Sequence, residues 1–560
     1  MFKYFRKKKT TIDFDEILLD ASNLPEFNQG RLEGRLEVPL SRTSMFAVGG
    51  FFMCVAIAFL YQLFTLQIVE GKSYAERSLN NHIDTTLIFS ERGVIYDRTG
   101  ERLAWNAEGS EVRDFAERVY TDRRGLGQIL GYVNYPKKDA SGFYFRTDYV
   151  GRGGIEESYE QVLKGVNGEQ ILEVDARGEP LSAHVVHEPV SGEEVTLTID
   201  AALTEAFYDH IATSAAKVGF RSGAGVIMDI ETGEILTMVS YPSFDPEVMT
   251  RGEQHEIDRY NADERLPFLN KVTSGLYTPG SIVKPFMALA ALEEHIISPQ
   301  KEIVSTGALT IPNPYTPSQP SVFTDWKAHG AVTMRRALAV SSNVYFYVVG
   351  GGYKDQEGLG ITRISEYMHA FGFDTQTGIH MPGEQSGVVP NPQWKQEKIG
   401  EEWRLGDTYH TSIGQFGFQV TPLEMVRAYA AIANGGVLVT PTIVAGEQGN
   451  KTTLPLDPES LRVVREGMRL AATEGTARAL TASGISFAGK TGTAELDAGK
   501  RYVNSWVAGY YPYEKPRYAF VLLMERGSRA NLFGASPIMS QFFTWMKEHT
   551  PEYALELSTD

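Results

Sequence analysis

The chain has 560 residues, of which 42% are hydrophobic, and this length exceeds what one small folded core needs. We therefore expect two or more folded units. The formal net charge of −17 argues against nucleic acid as a partner, because phosphates bind surfaces rich in Lys and Arg. The single cysteine, Cys54, excludes an intrachain disulfide and any metal site built from several cysteines.

Residues 43–69 carry no charge and include the run MFAVGGFFMCVAIAFLYQLF. A helix of about 20 apolar residues crosses a bilayer core, so this segment is predicted to span a membrane once. Basic residues precede it, namely Lys3, Arg6, Lys7, Lys8, Lys9 and Arg42. Because basic flanks favour the cytoplasmic side, residues 1–42 are predicted to be a cytoplasmic tail. The remainder is then expected to lie outside the cytoplasm, tethered to the inner or plasma membrane.

Residues 70–194 are rich in Gly, Pro and charged residues, as in RGVIYDRTG at positions 92–100. Such composition favours short strands and turns over long helices. We expect an elongated, β-rich pedestal module, similar in place to a dimerisation-type module, ahead of the main domain. Its Arg and Asp side chains are expected to form structural ion pairs rather than a chemical site.

Residues 195–550 show a different texture. The runs GAGVIMDI and EILTMVS flank a glycine-containing turn and predict a β-hairpin, and VNSWVAGYY and RYAFVLLME predict a second strand pair near the C-terminus. Helical segments such as PFMALAALEEH and TPLEMVRAYAAIAN lie between them. The expected fold class is an α/β head whose sheet joins distant parts of the chain. Residues 551–560 are predicted to be a C-terminal tail.

Three short motifs stand in order within this head: Ser281-x-x-Lys284, Ser341-x-Asn343 and the Lys490-Thr-Gly sequence. The first spacing places serine and lysine one helical turn apart on one face. A serine hydroxyl becomes a strong nucleophile when a neighbour removes its proton, whereas lysine is normally protonated at neutral pH. Lys284 must therefore be perturbed, and burial and a second cation, Lys490, are the expected causes. These residues alone leave open which group is the base at each step.

The middle motif, residues 341–343, is expected in a loop or extended turn. The Ser341 hydroxyl could then pass a proton between the nucleophile, the lysines and a leaving amine. The Asn343 amide can both donate to and accept from the backbone of a peptide substrate. Either of the first two motifs is weak alone, and the ordered set of three is the signal that predicts acyl transfer.

The third motif, residues 490–493, is predicted on an edge strand. Gly492 would leave room for a substrate backbone, while the Thr491 and Thr493 hydroxyls could hold a terminal carboxylate. Lys490 adds a positive charge for the same carboxylate. The backbone N–H groups of Ser281 and Thr493 are the candidate oxyanion hole, which stabilises the tetrahedral intermediate by about 3 kcal/mol in comparable sites.

The three motifs resemble those of the penicillin-binding protein and serine β-lactamase superfamily. Their surroundings, GLYTPGSIVKP, SSNVYFY and KTGTAE, together with RGVIYDRTG and VDARG upstream, are similar to class B penicillin-binding proteins. The sequences WRLGDT, SIGQ and TPL favour the elongation, or rod-shape, penicillin-binding protein 2 branch. Two positions depart from that branch: Phe416 stands where glycine is usual, and Asn343 where many members have aspartate.

The resemblance implies a penicillin-binding transpeptidase head, with an antiparallel sheet flanked by helices, behind the pedestal and the single membrane helix. It implies a peptidoglycan D,D-transpeptidase in which Ser281 attacks a stem peptide ending in D-Ala-D-Ala and passes the acyl group to an amine of a neighbouring stem. β-Lactams would acylate the same serine as inhibitors. No metal or organic cofactor is implied, and the implied protein partners are a polytopic peptidoglycan glycosyltransferase and cell-shape or division proteins.

Two alternative functions remain at this point. A D,D-carboxypeptidase or β-lactam-hydrolysing relative would pass the acyl group to water instead of an amine. A non-catalytic scaffold would activate a partner glycosyltransferase through the pedestal. Outside the three motifs, Tyr132, Trp394 and His410 are expected to pack or to shape a groove rather than to act in catalysis.

Overall fold

The computed structural model describes residues 41–74, 83–107, 114–174, 180–313, 316–497, 499–531 and 533–554. Residues 1–40 of the predicted cytoplasmic tail, residues 555–560 of the predicted C-terminal tail and positions 175–178 of the VDARG sequence lie outside these ranges.

The first helix, α1 (Arg42–Phe64), continues as a π-helical turn over Thr65–Val69. Its most apolar 18-residue window has a mean hydropathy of 2.1, and no residue of the helix or the turn is buried. At 1.5 Å per residue the helix is about 42 Å long, which is enough to cross a bilayer. This helix agrees with the span predicted for residues 43–69.

Short strands dominate the region that follows, as its composition predicts. The strands are β1 (Ile83–Ile88), β2 (Ile95–Tyr96), β3 (Arg102–Asn106), β4 (Arg118–Tyr120), β5 (Tyr132–Asn134), β6 (Lys137–Lys138), β7 (Tyr144–Arg146), β8 (Val150–Arg152), β9 (Gly168–Val174), β10 (Pro180–His187) and β11 (Val195–Thr196). The helices are α2 (Gly127–Leu130), α3 (Gly154–Ser158) and α4 (Glu160–Leu163). Strands β11, β2, β3 and β4 form one sheet in that order, with β11 parallel to β2 and the other pairs antiparallel.

A buried ion cluster holds this region together. Glu156 is fully buried and accepts hydrogen bonds from Arg92 Nε at 2.5 Å, Arg118 Nε at 2.9 Å and the Tyr120 hydroxyl at 3.2 Å. Arg92 Nη2 also donates to Glu160 Oε2 at 2.6 Å. The arginines thus form structural ion pairs, as predicted, although their partners are glutamates rather than aspartates.

Strand β11 lies at the junction of the pedestal and the head. It pairs with β2 of the pedestal, and the next residues bond the head, since Thr198 N donates to Ile443 O at 2.9 Å. At the other end of the head, the turn Pro551–Tyr553 packs on it. Its Tyr553 is 8% exposed and donates a hydrogen bond to Asp200 Oδ2 at 2.9 Å. Both sets of contacts join residues far apart in sequence.

The head contains eleven strands and twelve helices within the described residues. The strands are β12 (Ser222–Asp229), β13 (Ile235–Tyr241), β14 (Ile303–Ser305), β15 (Ala308–Ile311), β16 (Ser321–Thr324), β17 (Gly330–Val332), β18 (Val437–Val439), β19 (Lys451–Thr453), β20 (Ala488–Glu495), β21 (Tyr502–Tyr511) and β22 (Tyr518–Ser528). The helices are α5 (Ala201–Val218), α6 (Pro246–Arg251), α7 (Gln254–Ala262), α8 (Lys284–Glu293), α9 (Met334–Val340), α10 (Asn343–Gly351), α11 (Gly360–Ala370), α12 (Pro392–Lys398), α13 (Leu405–Thr411), α14 (Pro422–Ala433), α15 (Pro458–Thr473) and α16 (Ala535–His549).

The central sheet of the head has the order β13-β12-β22-β21-β20, and all its pairs are antiparallel. Both predicted strand pairs are therefore confirmed, and β12 and β22 bring them together. Adjacent residues of a strand face opposite sides, so Val226 packs in the core that contains Phe286 of α8. Ile227 packs in the second core with Phe207 of α5 and Phe542 of α16. The sheet is thus covered by helices on both faces, as the α/β prediction requires.

Candidate active site

Ser281 lies in the 3-10 turn Gly280–Val283, directly before α8. The N–H of Gly280 donates to the carbonyl of Gly414 at 2.9 Å, which fixes the start of the turn. Gly280 has φ of 58°, and a Cβ at this position would lie 2.9 Å from the Thr493 carbonyl oxygen. Glycine therefore lets the serine turn approach strand β20 closely. The turn that carries the partly buried Ser281 thus lies beside the third motif.

Lys284 is fully buried and makes its hydrogen bonds to the middle motif. Its Nζ donates to Ser341 O at 2.9 Å, to Ser341 Oγ at 3.4 Å and to Asn343 Oδ1 at 2.7 Å. In the described part of the chain, no hydrogen bond joins Lys284 to Ser281. Burial lowers the pKa of Lys284 to about 7, against the opposing effect of the Asp325 carboxylate. The predicted lowering is confirmed, and an amine with this pKa is partly neutral at pH 7.

Ser341 connects the two lysines. It follows α9 in the left-handed conformation, with φ of 59° and ψ of 40°, and Asn343 is the first residue of α10. The Ser341 hydroxyl oxygen accepts from Lys490 Nζ at 2.8 Å as well as from Lys284 Nζ. The middle motif therefore occupies the junction of two helices, which fits the predicted turn. One hydroxyl is within hydrogen-bonding distance of both amines.

Lys490 lies on β20, at the edge of the sheet order, as predicted. It is fully buried and donates to Thr491 O at 2.9 Å in addition to Ser341 Oγ. Burial and the neighbouring charge of Lys284 hold the pKa of Lys490 well below its ordinary value. The repulsion that the sequence predicts at Lys284 thus acts on its partner, and the site disfavours two simultaneous positive charges.

Gly492 packs closely against the turn that carries Ser281. A Cβ here would lie 2.9 Å from Ile282 Cγ2 and 2.9 Å from the Pro279 carbonyl oxygen. The turn thus fills the space left by the missing side chain. On the other face of the strand, Thr493 is exposed and Thr491 partly exposed.

Two polar residues near the motifs are not predicted from the sequence. Asp325, between β16 and β17, has a buried carboxylate that contacts the middle motif. Thr476 places its Oγ1 2.6 Å from Thr491 Oγ1. The only signal for Asp325 is an acid within the polar run TDWKAHG, and Thr476 carries no spacing relation to the other motifs. Their proximity depends on the tertiary fold.

The aromatic residues outside the motifs have packing contacts, as expected. Phe416 packs edge-on against Trp394 and Trp403, with ring centroids 6.1 Å and 5.6 Å away. It adopts φ of 60°, a left-handed conformation that glycine adopts without strain. The rings of His410 and Tyr132 also contact other aromatic rings.

Two family models match the chain. The model described as the penicillin binding protein transpeptidase domain matches residues 223–544. The chain belongs to this family. The model described as the penicillin-binding protein dimerisation domain matches residues 107–197, within the predicted pedestal and just beyond its end.

Curated relatives agree with the family assignment. Peptidoglycan D,D-transpeptidase MrdA of Acinetobacter baumannii is 30% identical over 75% of this chain and 64% of its own length. MrdA of Salmonella typhimurium is 27% identical over 89% of this chain and 94% of its own length. The chain thus spans somewhat less than two thirds of the first protein and nearly all of the second.

Solved structures give the same result for the fold. The complex of penicillin-binding protein 2 and MreC from Helicobacter pylori matches with a TM-score of 0.70 and 26% identity, over 83% of this chain and 99% of that chain. Penicillin-binding protein 2 of Pseudomonas aeruginosa in complex with WCK 5153 matches with a TM-score of 0.69 and 27% identity, over 85% of this chain and 100% of that chain. The chain is therefore a class B, penicillin-binding protein 2 type member of its family, and its apolar helix makes it a single-pass membrane protein.

Proposed function

We propose that this protein is a serine-type peptidoglycan D,D-transpeptidase that cross-links stem peptides during cell-wall synthesis. The observation that carries the proposal is the convergence of three distant motifs. The Ser341 hydroxyl lies within hydrogen-bonding distance of both Lys284 and Lys490, and the turn of Ser281 packs against the same strand. Membership of the penicillin-binding transpeptidase family supports this reading.

The first half of the reaction forms an acyl-enzyme. Neutral Lys284 accepts the proton of Ser281 as Oγ attacks the carbonyl between the two D-alanines, and the backbone N–H groups of Ser281 and Thr493 stabilise the oxyanion. The tetrahedral intermediate collapses and the C–N bond breaks. The departing D-Ala amine takes a proton that Ser341 passes on from the lysines. The products are an ester on Ser281 and free D-alanine.

The second half transfers the acyl group. The amine of a neighbouring stem attacks the ester carbonyl and gives up a proton through Ser341 to the lysine pair, and Ser281 leaves as an alkoxide that is reprotonated by Lys284. A new amide forms and the enzyme is restored. Because the site disfavours two positive charges at once, one proton can be shared between Lys284 and Lys490.

The substrate contacts are proposed from residue chemistry and position. The exposed Thr493 and the partly exposed Thr491 offer hydroxyls to the terminal carboxylate, and β20 with Gly492 offers an edge against which a peptide can lie. The Asn343 amide binds the backbone of the donor peptide. β-Lactams, which acylate Ser281 in the same way, act as inhibitors.

The membrane topology and the domain assignment follow the same proposal. Residues 1–42 lie in the cytoplasm, residues 43–69 cross the membrane, and the pedestal and head work outside it. The partners are a polytopic glycosyltransferase and cell-shape proteins. Two similar structures support this: a complex of penicillin-binding protein 2 with MreC, and a peptidoglycan synthase complex. We assign the enzyme to cell elongation.

The test combines acylation with product analysis. Full-length protein in detergent is incubated with fluorescent penicillin, and we expect covalent labelling of wild type and no labelling of Ser281→Ala. Ser298→Ala is the matched control, because Ser298 is an exposed serine of the same head and should label normally. Strong labelling of Ser281→Ala would refute the assigned nucleophile.

Product analysis separates the alternative functions. The protein is mixed with a polytopic glycosyltransferase of the kind proposed above as its partner, and both are supplied with lipid-linked peptidoglycan precursor. The muropeptides are then examined by mass spectrometry. Cross-linked dimers that depend on Ser281 support transpeptidation. Trimmed monomers alone would show a carboxypeptidase, and glycan synthesis stimulated equally by wild type and Ser281→Ala without cross-links would show a scaffold.

A further inference from the structure

A buried carboxylate lies next to the proposed catalytic residues, and none of the three motifs includes it. Asp325 follows β16, and its side chain is 0% exposed. Its oxygens accept four hydrogen bonds, three at Oδ2 and one at Oδ1: from Ser342 Oγ at 2.8 Å, Val344 N at 3.0 Å, Ser305 Oγ at 3.1 Å and Trp326 N at 2.9 Å. The His329 Nε2 lies 3.5 Å from Oδ1. A buried charge with so many partners requires a reason, because burial of a carboxylate is costly.

Two hydrogen bonds of Asp325 come from residues within and directly after the middle motif. Ser342 lies between Ser341 and Asn343, and Val344 is the next residue along α10. Ser341 occupies the left-handed region, which strains a non-glycine residue and needs support from its surroundings. The Asp325 carboxylate therefore holds the turn through Ser342 and Val344. Lys284 contacts the same turn through Ser341 and Asn343.

Asp325 also balances the charge of the site. The charged or titratable groups that interact with Lys284 are Asp325, Lys490 and His329. Among these three, only Asp325 carries a negative charge, and it opposes the effect of burial on Lys284. Its position makes it the counterion of Lys284 when that lysine holds the shared proton.

We propose that Asp325 is a positioning residue of the transpeptidase site, whose buried carboxylate holds the turn at residues 341–343 against Lys284 and balances the positive charge of Lys284. The inference rests on the proposed function, because it assigns a role within that reaction. Asp325 does not touch the substrate; it acts through Ser342 and through the charge on Lys284.

The experiment measures the rate of acylation by fluorescent penicillin between pH 5 and pH 9 on the full-length protein. Removal of the negative charge in Asp325→Asn disfavours protonated Lys284, so the acidic limb of the profile should move to lower pH by about 0.5–1 unit. The plateau rate should fall as well, by about tenfold, because an amide NH2 cannot accept the hydrogen bond that one carboxylate oxygen accepts.

Two further variants separate charge from hydrogen bonding. Ser305→Ala removes one hydrogen bond to Asp325 and keeps its charge, so its acidic limb should coincide with that of wild type. Asp325→Glu keeps the charge but displaces the carboxylate. The acidic limb of its pH profile should therefore coincide with that of wild type, while its plateau rate of acylation falls. Thermal unfolding checks that each variant is folded, and Asp325→Glu and Ser305→Ala test the inference even where Asp325→Asn does not fold.

The outcomes are distinguishable. Any one of three results would overturn the role of Asp325 and leave the transpeptidase proposal intact. They are an unshifted acidic limb in folded Asp325→Asn, an equal shift of that limb in Ser305→Ala, and a wild-type plateau rate in Asp325→Glu. Wild-type protein that fails to label at Ser281 would overturn both.

Discussion

A methyl group at Gly492 should disturb the nucleophile without touching it. In Gly492→Ala, the new Cβ would lie 2.9 Å from both Ile282 Cγ2 and the Pro279 carbonyl oxygen. Non-bonded carbon atoms prefer separations of about 3.5–4.0 Å, so the facing segment must move by about 0.5–1 Å. Ile282 is fully buried and Pro279 O belongs to the backbone, so neither atom can rotate out of the way. The movement is therefore transmitted to Ser281, which lies between them in sequence.

The expected loss follows from this displacement. A misplacement of about 1 Å in a reacting group can slow a reaction by about a hundredfold, and overpacking of this kind costs about 1–3 kcal/mol of stability. We expect the acylation rate with fluorescent penicillin to fall by about 10- to 100-fold in a protein that still unfolds cooperatively. Gel fluorescence of samples quenched at successive times gives the acylation rate, and differential scanning fluorimetry gives the stability.

The matched control is Gly499→Ala, in the connection after the same strand. A Cβ there would first meet Asp497 Oδ2 at 3.3 Å and then the side chain of Arg501, which is largely exposed and free to adjust. This variant should keep wild-type acylation and stability. If Gly492→Ala acylates as fast as Gly499→Ala, the packing argument is wrong.

The remaining predictions concern pH and the pedestal. The folded pKa of Lys284, about 7, lies below its ordinary value, so the neutral base is present above pH 7 and is lost as pH falls. Acylation should decline about tenfold per unit below that point, and a profile that is flat from pH 5 to pH 8 would contradict this. In the pedestal, Glu156→Gln leaves the buried Arg92 and Arg118 without their shared carboxylate, which should cost about 3–5 kcal/mol in urea unfolding. Glu157→Gln, at an exposed neighbouring position, should lower the free energy of unfolding much less. Equal losses in the two variants would refute the stabilising role of the buried cluster.

Local patterns explain why much of the fold is predictable. The strand pair β12 and β13 and the strand pair β21 and β22 each combine apolar runs with a turn, and α8 and α14 each follow from a continuous apolar segment. These signals depend on neighbours in sequence. The pairing of β11 and the hydrogen bond of Tyr553 are not predictable in this way, because their partners lie about 100 and 350 residues away.

The site shows the same division. The residues of the three motifs were identified from spacing and chemistry, and their assembly agrees with that prediction. The close packing of Gly492 against Ile282 is not predictable from the sequence, because the two residues are about 200 positions apart. Asp325 and Thr476 were missed, since their identities carry no spacing signal and only their packing places them beside the site.

The membrane helix, the α/β class of the head and the set of motif residues that points to serine acyl transfer are predictable without a structure. Helical and strand periodicity and short motif spacings are properties of consecutive residues, so they can be read without a fold. The tertiary structure decided the hydrogen-bond partners of Lys284, the sharing of one hydroxyl by two lysines, and the buried counterion Asp325. These depend on distances and burial between segments that are far apart in the chain, which a single sequence does not encode locally.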